Sequence, residues 1–409
     1  MRSAAGWWWG LPLYAFALTT PLSVSIGSVA VGVLGAAALF RQLSPRTRNL
    51  HLPPALLVAV VAFVGVHLLA TALASPFPSR WGKTVGEMFL KLLLLAVPLL
   101  ASDRPRDIER SVRLLVGVGA IVAVYGIYQH FTGRDLWRGG LTFNTGHGYF
   151  AVGFFGHHLT YGGHVMLLTV TAAAWLLQAV ASPRPSRGAL LPLLGTLLLA
   201  AALLWSHARS AQIGAAVGGV ILAAMLPRRA RWAALAGLAV LAAATALTPG
   251  VGARFLAVGD PATDSTRLML WQSSVRAVSH RPWLGFGSGN FDELMRTYGI
   301  PAQYDTISHA HNDFLMHAVN AGLLGLAAAL VLLGVTVWLL LRARRRAATG
   351  TWVVLAALAC QGAITAGGLF QVFQTDNEVE MVLYFLVGCG IALGLPARAP
   401  RSSEVEVPA

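Results

Sequence analysis

The chain has 409 residues, of which 56% are hydrophobic and only 11% are charged. Soluble domains carry about a quarter charged residues, so this composition excludes an ordinary soluble fold and indicates a protein embedded in a membrane. The formal net charge of +14 does not indicate a nucleic-acid partner, because no RNA- or DNA-binding motif accompanies it.

Apolar runs of about 20 residues follow one another along the chain, and such runs are long enough to cross a bilayer as helices. We predict about twelve transmembrane helices and therefore an all-α polytopic integral membrane protein. The runs lie near 7–22, 24–40, 53–74, 86–101, 112–130, 162–181, 189–205, 210–226, 232–247, 311–341, 350–371 and 380–396. Cys360 and Cys389 fall inside the last two runs, which favours buried thiols over a disulfide.

The basic residues predict the orientation of these helices. Lys and Arg are concentrated in alternate connections, such as "FRQLSPRTR", "DRPRDIERSVR" and "RARRR". Because cytoplasmic loops are enriched in Lys and Arg, we predict that both termini are cytoplasmic and that the whole net charge of +14 lies on that side. The basic loops would then face anionic lipid headgroups of the membrane.

This topology divides the chain into four parts. Residues 1–247 form helices one to nine and include an outer loop at about 130–161 that is rich in Gly, aromatic residues and His. Residues 248–310 form one large outer loop before the tenth helix. Residues 311–396 form helices ten to twelve, and residues 397–409 are a cytoplasmic tail. Aromatic residues of the first outer loop either form an interfacial belt or stack on sugar rings.

The large outer loop is predicted to contain short helices. "DPATDSTRLMLWQSSVRAVSH" has helical spacing of its apolar residues, and Asp264, Ser265 or Thr266 can cap its start. "FDELMRTYG" is predicted to be a second short helix that ends at Gly299. The connecting "GFGSGNF" follows a helix and lacks the spacing of a dinucleotide or P-loop fingerprint, so a nucleotide site is not indicated there.

A polar turn, "LLWSHARSAQIG", joins two apolar runs on the outer side. Arg209 at this depth is costly unless it is paired or lies in a water-filled cavity. The helix that starts near Ser210 presents free N–H groups, which favour an anion. The turn is therefore either an anion site or a place where an interfacial arginine meets lipid phosphate.

Arg267 lies in the first turn of the predicted loop helix, where the helix dipole opposes a cation. Either an anionic ligand or Asp264 would then hold it. A planar guanidinium can bind two phosphate oxygens at once, which suits Arg267 to phosphate better than a lysine would be.

The stretch "SHAHNDFLMHAVNAGLLG" begins at Ser308 with several polar groups. If the tenth helix starts at residue 311, His311 shares a stripe with small residues, and such stripes face neighbouring helices. The other face would carry His309, Asp313, His317 and Asn320. His311 is then either a proton-exchanging histidine at the outer mouth of the bundle or a capping one. A metal held by His309 and His311 is disfavoured, because no partner has ligand spacing.

Three of these stretches carry a family resemblance. "HNDFLMHAVNAGLLG" resembles the His-Asn … Gly-Leu-Leu-Gly signature of the bacterial O-antigen ligase and polymerase superfamily. "SHARSAQIG" resembles the Ser/Arg turn of that family, and "STRLMLWQSSVRAVSHRPWLGFGSGNF" resembles the stretch before its histidine. The resemblance covers the region from Leu204 to Gly325 at the level of motifs and the whole chain at the level of topology.

The resemblance implies an O-antigen ligase, a polyprenyl-diphosphate-dependent glycosyltransferase of the bacterial inner membrane with its active site facing the periplasm. The implied donor is a glycan on undecaprenyl diphosphate, and the acceptor is the lipid A–core oligosaccharide. Transfer would invert the anomeric centre and need no metal or cofactor. Arg209 and Arg267 would clamp the diphosphate, and His311 would be the general base or a phosphate ligand. The implied substrate-binding residues are Asn312, His309, Ser210 and Trp271.

Other functions stay open. An O-antigen polymerase of the same superfamily shares the fold, but polymerases carry prominent basic motifs in two outer loops, and the first outer loop here has only Arg134 and Arg138. A lipid-linked-oligosaccharide flippase or other transporter would place ionisable groups at mid-membrane. A peptidoglycan polymerase would use an outer-loop aspartate, for which the candidates are Asp260, Asp264, Asp292 and Asp305, but the His-Asn signature does not fit that class.

Overall fold

The computed structural model describes residues 8–43, 52–74, 81–182, 187–256, 261–297 and 309–396, and within them sixteen α-helices form. In chain order these are α1 Leu11–Thr19, α2 Val24–Leu43, α3 Pro54–Ala74, α4 Trp81–Leu90, α5 Leu93–Ala101, α6 Pro105–Thr132, α7 His158–Ala181, α8 Leu190–Trp205, α9 Arg209–Met225, α10 Arg228–Leu247, α11 Val251–Leu256, α12 Pro261–His280, α13 Phe291–Thr297, α14 Asp313–Arg346, α15 Thr351–Gly367 and α16 Asn377–Leu393.

Each of the twelve predicted apolar runs overlaps a helix, and the run at 86–101 is divided between α4 and α5. Seven spans among the described residues are long and apolar enough to cross a membrane: α2, α3, α4 with α5, α6, α7, α10 and α14. The apolar helices α8, α9 and α15 are shorter. The prediction of an all-α polytopic membrane protein is confirmed, and the number of twelve crossings stays a prediction.

The core of the bundle is formed by α7, α15 and α16, whose residues are mostly buried. In contrast, α10 has only Ala230 and Ala234 buried, so it lies at the periphery. Cys360 and Cys389 are fully buried and free, which confirms the prediction of unpaired thiols.

The loops of the bundle gather at two ends. The turns at 102–105, 346–349 and 393–396, all predicted to share the cytoplasmic side, line one cavity. The segments 157–160, 309–311 and 371–378, predicted to share the outer side, line another. Because α14 runs from the second group to the first, the two cavities lie at opposite ends, which we call the basic end and the histidine end.

A buried ion pair joins α16 to the break between α4 and α5. The side chains of Lys91 and Glu380 are in contact and fully enclosed. The Lys91 ammonium also donates to the carbonyl oxygen of Glu87 at 3.0 Å. Charges inside a membrane bundle persist only with such partners, so this pair fixes the last helix against an early one.

The start of α14 differs from the prediction. The helix begins at Asp313, and Asn312 is its N-cap, so His311 precedes the helix and adopts a left-handed backbone. The angular argument that placed His311 on a stripe of small helix residues is therefore wrong. It assumed a continuous helix, whereas the side chain of Asn312 accepts the N–H of Leu315 and thereby starts the helix two residues later.

The helix α14 is also interrupted at Ala321 and Gly322, and the φ of Gly322 is 66°. The glycine-rich turn after α12 fills the interruption. Phe286 donates its backbone N–H to the carbonyl of Val319 at 2.9 Å, and Gly287 donates to that of Asn320 at 2.8 Å. The turn thus satisfies carbonyl groups that the interrupted helix leaves unpaired.

The loop helix α12 begins at Pro261, three residues before the predicted caps. Proline is favoured in the first helical turn because its missing N–H is not needed there. The prediction that Asp264, Ser265 or Thr266 caps the helix is therefore wrong, and Arg267 lies in the second turn. The second predicted loop helix is confirmed as α13, while Gly299 lies outside the described residues.

Candidate active site

A cavity of about 760 Å³ lies at the histidine end of the bundle. Its walls are the start of α7, the segment before α14, and the loop 368–376 between α15 and α16. The lining is rich in histidines and carboxylates: it includes His157, His158, Thr160, His309, His311, Gln371, Asp376 and Glu378.

Two non-glycine residues in the described chain have positive φ, and both belong to predicted motifs. His311 has φ 49°, and His207, in the turn before Arg209, has φ 54°. Such backbone conformations cost of order 1–3 kcal/mol and cluster at functional sites, where surrounding contacts hold them. The strain therefore marks the same two stretches that the sequence indicated.

The His311 ring is held by one strong hydrogen bond. Its Nδ1 lies 2.5 Å from the amide oxygen of Gln371, whose side chain is buried. Because an amide oxygen only accepts, we assign the proton to Nδ1, which leaves the lone pair on Nε2. Burial lowers the pKa of His311, and the positive charge of Arg267 lowers it further, against an opposing effect of Gln371. The ring is thus a neutral proton acceptor near neutral pH.

His309 packs against this ring. The two imidazoles meet edge to face with their centroids 4.3 Å apart. Burial, and then the neighbouring His311, lower the pKa of His309 to about 3. Its Nδ1 is buried without a hydrogen-bond partner among the described residues. Within the same residues, no group of three His, Cys, Asp or Glu side chains is arranged to hold a metal.

The polar residues after His311 tie the start of α14 to the loop 368–376. Asn312 uses its side-chain oxygen as the helix cap and donates its amide N–H to the carbonyl of Leu369 at 3.0 Å. Asp313 accepts two backbone N–H groups of the same loop, from Phe373 and Gln374, at 2.9 Å each. These contacts place the loop, and Gln371 with it, beside His311.

The loop helix α12 supports the segment from the other side. The indole N–H of Trp271 donates to the backbone carbonyl of Ala310 at 3.0 Å. Arg267 lies one helical turn before Trp271, close enough for its charge to act on His311. Trp271, which was predicted to bind substrate, thus holds the backbone between the two histidines.

The turn before Arg209 adjoins the cavity wall. The His158 ring, which lines the cavity, is hydrogen bonded through Nδ1 to the carbonyl of Ser206 at 2.8 Å. The carbonyl of Ser210 lies against Gly367, where a Cβ would come within 2.8 Å of it. The Ser210 hydroxyl is buried without a hydrogen-bond partner among the described residues. The α8–α9 turn and the His311 segment therefore face the same region.

Sequence reasoning missed several lining residues. Asp376 accepts a hydrogen bond from the hydroxyl of Thr160 at 2.6 Å. Burial, and then the negative charge of Glu378, raise the pKa of Asp376 well above its ordinary value. The signal available in the sequence is the polar stretch "QVFQTDNEVE" before the last helix, whose polarity by itself indicates only the boundary of an apolar run.

A comparison with family models supports the resemblance. Residues 194–330 match the model described as O-antigen ligase. The matched segment runs from α8 to the first half of α14 and contains Arg209, Arg267 and His311. A search of curated proteins found no match.

Proposed function

We propose, because residues 194–330 match the O-antigen ligase family model, that the chain transfers an O-antigen glycan from undecaprenyl diphosphate to the lipid A–core oligosaccharide. The reaction would take place in the His311 cavity, at the periplasmic face of the bacterial inner membrane. The family match supports lipid-linked glycan substrates and a membrane setting. The observation that carries the proposal is the His311 ring, neutral and fixed by Gln371, at the wall of a cavity of about 760 Å³.

The chemistry needs one bond to form and one to break. An acceptor hydroxyl oxygen attacks the anomeric carbon of the donor sugar, and the bond from that carbon to the diphosphate oxygen breaks with its electron pair going to the diphosphate. Attack from the side opposite the leaving group inverts the anomeric centre. The hydroxyl proton passes to Nε2 of His311, whose lowered pKa keeps it available as a base.

The leaving diphosphate gains negative charge as the bond breaks. Arg209 and Arg267 would bind its oxygens and so stabilise the transition state more than the ground state. Arg209 stands at the first position of α9, where the positive end of the helix dipole adds to the positive potential. Arg267, on α12, lies close enough to His311 for its charge to lower the pKa of that ring.

The test is transfer by the purified protein in detergent, with lipid-linked glycan as donor and lipid A–core as acceptor. We expect product without ATP and in the presence of a chelator. Arg209→Lys and Arg267→Lys should each reduce transfer, because a point charge does not reproduce a two-oxygen grip. Full activity in both variants would overturn the clamp.

The lipopolysaccharide profile of a deletion strain separates ligase from polymerase. Loss of all long chains with a normal core indicates the ligase. A core that carries a single repeat indicates the polymerase, and an unchanged profile rules out lipid A–core as the acceptor.

A further inference from the structure

A second cavity, of about 500 Å³, lies between α9 and α10 with α11 at its end. We call it the α9–α10 groove. Its walls are apolar and include Ile213 and Ala216 of α9, Leu241 and Ala242 of α10, and Ala253 and Phe255 of α11. Among the side chains that the structure describes, those lining the groove include Gln212 and Thr245 as polar groups and no ionisable one, unlike those of the His311 cavity.

The shape of the groove follows from the side chains at the helix interface. The two helices are in close contact at Gly219, where an added Cβ would come within 2.6 Å of Leu238. Nearer the start of α9 the facing side chains include Ala216, Ala242 and Ala246, which leave a trough. Because α10 is peripheral, with few buried residues, the trough lies where the bilayer can reach it.

The lining of the groove on α9 begins at Gln212, three residues after Arg209. Arg209, Gln212, Ile213 and Ala216 are spaced i, i+3, i+4 and i+7, so they share one face of α9, and the last three line the groove. Arg209 and the positive end of the helix dipole therefore lie on the face of α9 that lines the groove, one turn before the first lining residue. This pattern of charge and hydrocarbon suits an amphiphile with an anionic head and a hydrocarbon chain.

Gln212 supplies an independent sign of a ligand. Its side chain is only 4% exposed, and its amide N–H groups donate to the carbonyls of Leu203 and Leu204 at 3.3 and 3.2 Å. Its amide oxygen is buried without a hydrogen-bond partner among the described residues, although buried polar atoms are nearly always satisfied. Along α9, Gln212 lies between Arg209 and the apolar lining residues Ile213 and Ala216. An amphiphile with its anionic head at Arg209 would place the junction of head and hydrocarbon chain near Gln212.

We propose that the α9–α10 groove binds the polyprenyl chain of the lipid-linked donor, with its diphosphate at Arg209. This inference rests on the proposed function, which supplies a polyprenyl diphosphate as donor. The groove would deliver the donor from the bilayer with its head already at the clamp. Since a chain in the bilayer is already out of water, the groove gains affinity by packing and shape rather than by the hydrophobic effect.

The test uses substitutions that fill the groove and leave Arg209 and Gln212 unchanged. Ala216→Phe and Ala242→Phe place an aromatic ring in the trough, whereas the matched control Val240→Phe lies on the outward side of α10, where Val240 is 67% exposed. Two donors with the same glycan are compared, one with the full undecaprenyl chain and one with a short, soluble prenyl chain.

We expect the filled variants to raise KM for the long-chain donor on the order of tenfold, which corresponds to about 1.4 kcal/mol of lost binding, and to leave KM for the short-chain donor unchanged. The control should match wild type with both donors. Equal effects on both donors, or no effect on either, would overturn the inference.

A readout without turnover separates the inference from the proposed function. Photoreactive undecaprenyl diphosphate, carrying no glycan, should label α9 or α10 of the wild type in vesicles and should label Ala216→Phe much less. Labelling together with no glycan transfer would keep the groove and refute the proposed function. Transfer without labelling, or labelling abolished by an equal amount of phosphatidylglycerol, would refute the groove as a polyprenyl site.

Discussion

His311 is held in place by contacts from outside its own segment. Gln371 fixes the ring, Trp271 holds the preceding carbonyl, and Asn312 and Asp313 fasten the following turn. A strained backbone at a histidine persists only when its surroundings determine it in this way. The position of the His311 ring thus depends on three chain segments, and a change in any of them should alter the reactivity of the ring.

Two histidines of the stretch that begins at Ser308, His311 and His317, should differ in function. His311→Ala should fold and insert normally but lose about 10²–10⁴ in rate, which is the usual contribution of a general base. His317 is buried inside the bundle, where its Nδ1 lies 3.4 Å from Nε2 of His67. His317→Ala should therefore lower the thermal stability, and it should reduce the transfer rate per folded molecule much less than His311→Ala does. Transfer rates normalised to folded protein decide between them, and full activity in His311→Ala would end this mechanism.

Gln371 should set the pH dependence of transfer. A base must be neutral to act, and burial and Arg267 lower the pKa of His311, so the acidic limb of the kcat/KM profile should lie below the ordinary histidine value of about 6.5. Gln371→Glu places a negative charge beside the Nδ1–H group, which stabilises the protonated ring and so raises the pKa of His311. The acidic limb should therefore move to higher pH.

The control for this change is Gln371→Leu, which removes the hydrogen bond without adding charge. It should lower kcat, since the ring is no longer oriented, and should not move the limb upward. Identical profiles for Gln371→Glu and wild type would show that Gln371 has no influence on the titration of the base.

The interruption of α14 couples this helix to the glycine-rich turn. The φ of Gly322 is 66° and its ψ is −164°, a region open essentially to glycine alone, and an added Cβ would lie 2.3 Å from the backbone of Trp283. Gly322→Ala should therefore destabilise the protein by about 1–3 kcal/mol, measured as a lower unfolding midpoint in detergent.

Gly334 provides a control in the same helix. It has no neighbouring atom within 4 Å of an added Cβ and no positive φ. Gly334→Ala should be neutral or stabilising by roughly 0.5–1 kcal/mol, because alanine favours the helix. Equal midpoints for the two variants would mean that the turn and α14 are not coupled.

The apolar runs predicted the helices well because length and hydropathy are local properties of the chain. What the runs did not predict depends on contacts between distant segments. The start of α14 moves to Asp313 because the loop 368–376, which is close in space and distant in sequence, takes up the polar groups of Asn312 and Asp313. The same holds for the interruption at Gly322, which requires the partner turn after α12.

The site was predicted in the same uneven way. Arg209, Arg267 and His311 stand in motifs with a family resemblance, so the sequence singled them out. Gln371 and Asp376 lie in a stretch whose only sequence signal was polarity, and their roles follow from ring and hydroxyl partners that the fold supplies.

At the scale of the whole molecule, the grouping of loops at two ends agrees with the charge pattern. Which end faces the cytoplasm stays a prediction. Reporter fusions after Ala181, Arg231 and Arg346 should behave as cytoplasmic, and fusions near Gly140 and at Asn377 should behave as exported. An exported signal at Arg346 would place the His311 cavity on the cytoplasmic side and remove the basis of the proposed function.

The buried pair of Lys91 and Glu380 has a consequence for biogenesis. Ribosomes deliver Lys91 to the membrane long before its partner in α16 exists, so a newly inserted chain holds an uncompensated ammonium until synthesis is nearly complete. A chain cut after Gly367 should therefore be degraded quickly, and Lys91→Met should lengthen its half-life in a pulse-chase experiment. In the full-length chain the same substitution leaves Glu380 buried without its counter-charge, and should shorten the half-life instead. If Lys91→Met changed the half-life in the same direction in the truncated and the full-length chain, protein quality control would not be responding to the unpaired charge. The ion pair would then not be what stabilises the last helix against the earlier one.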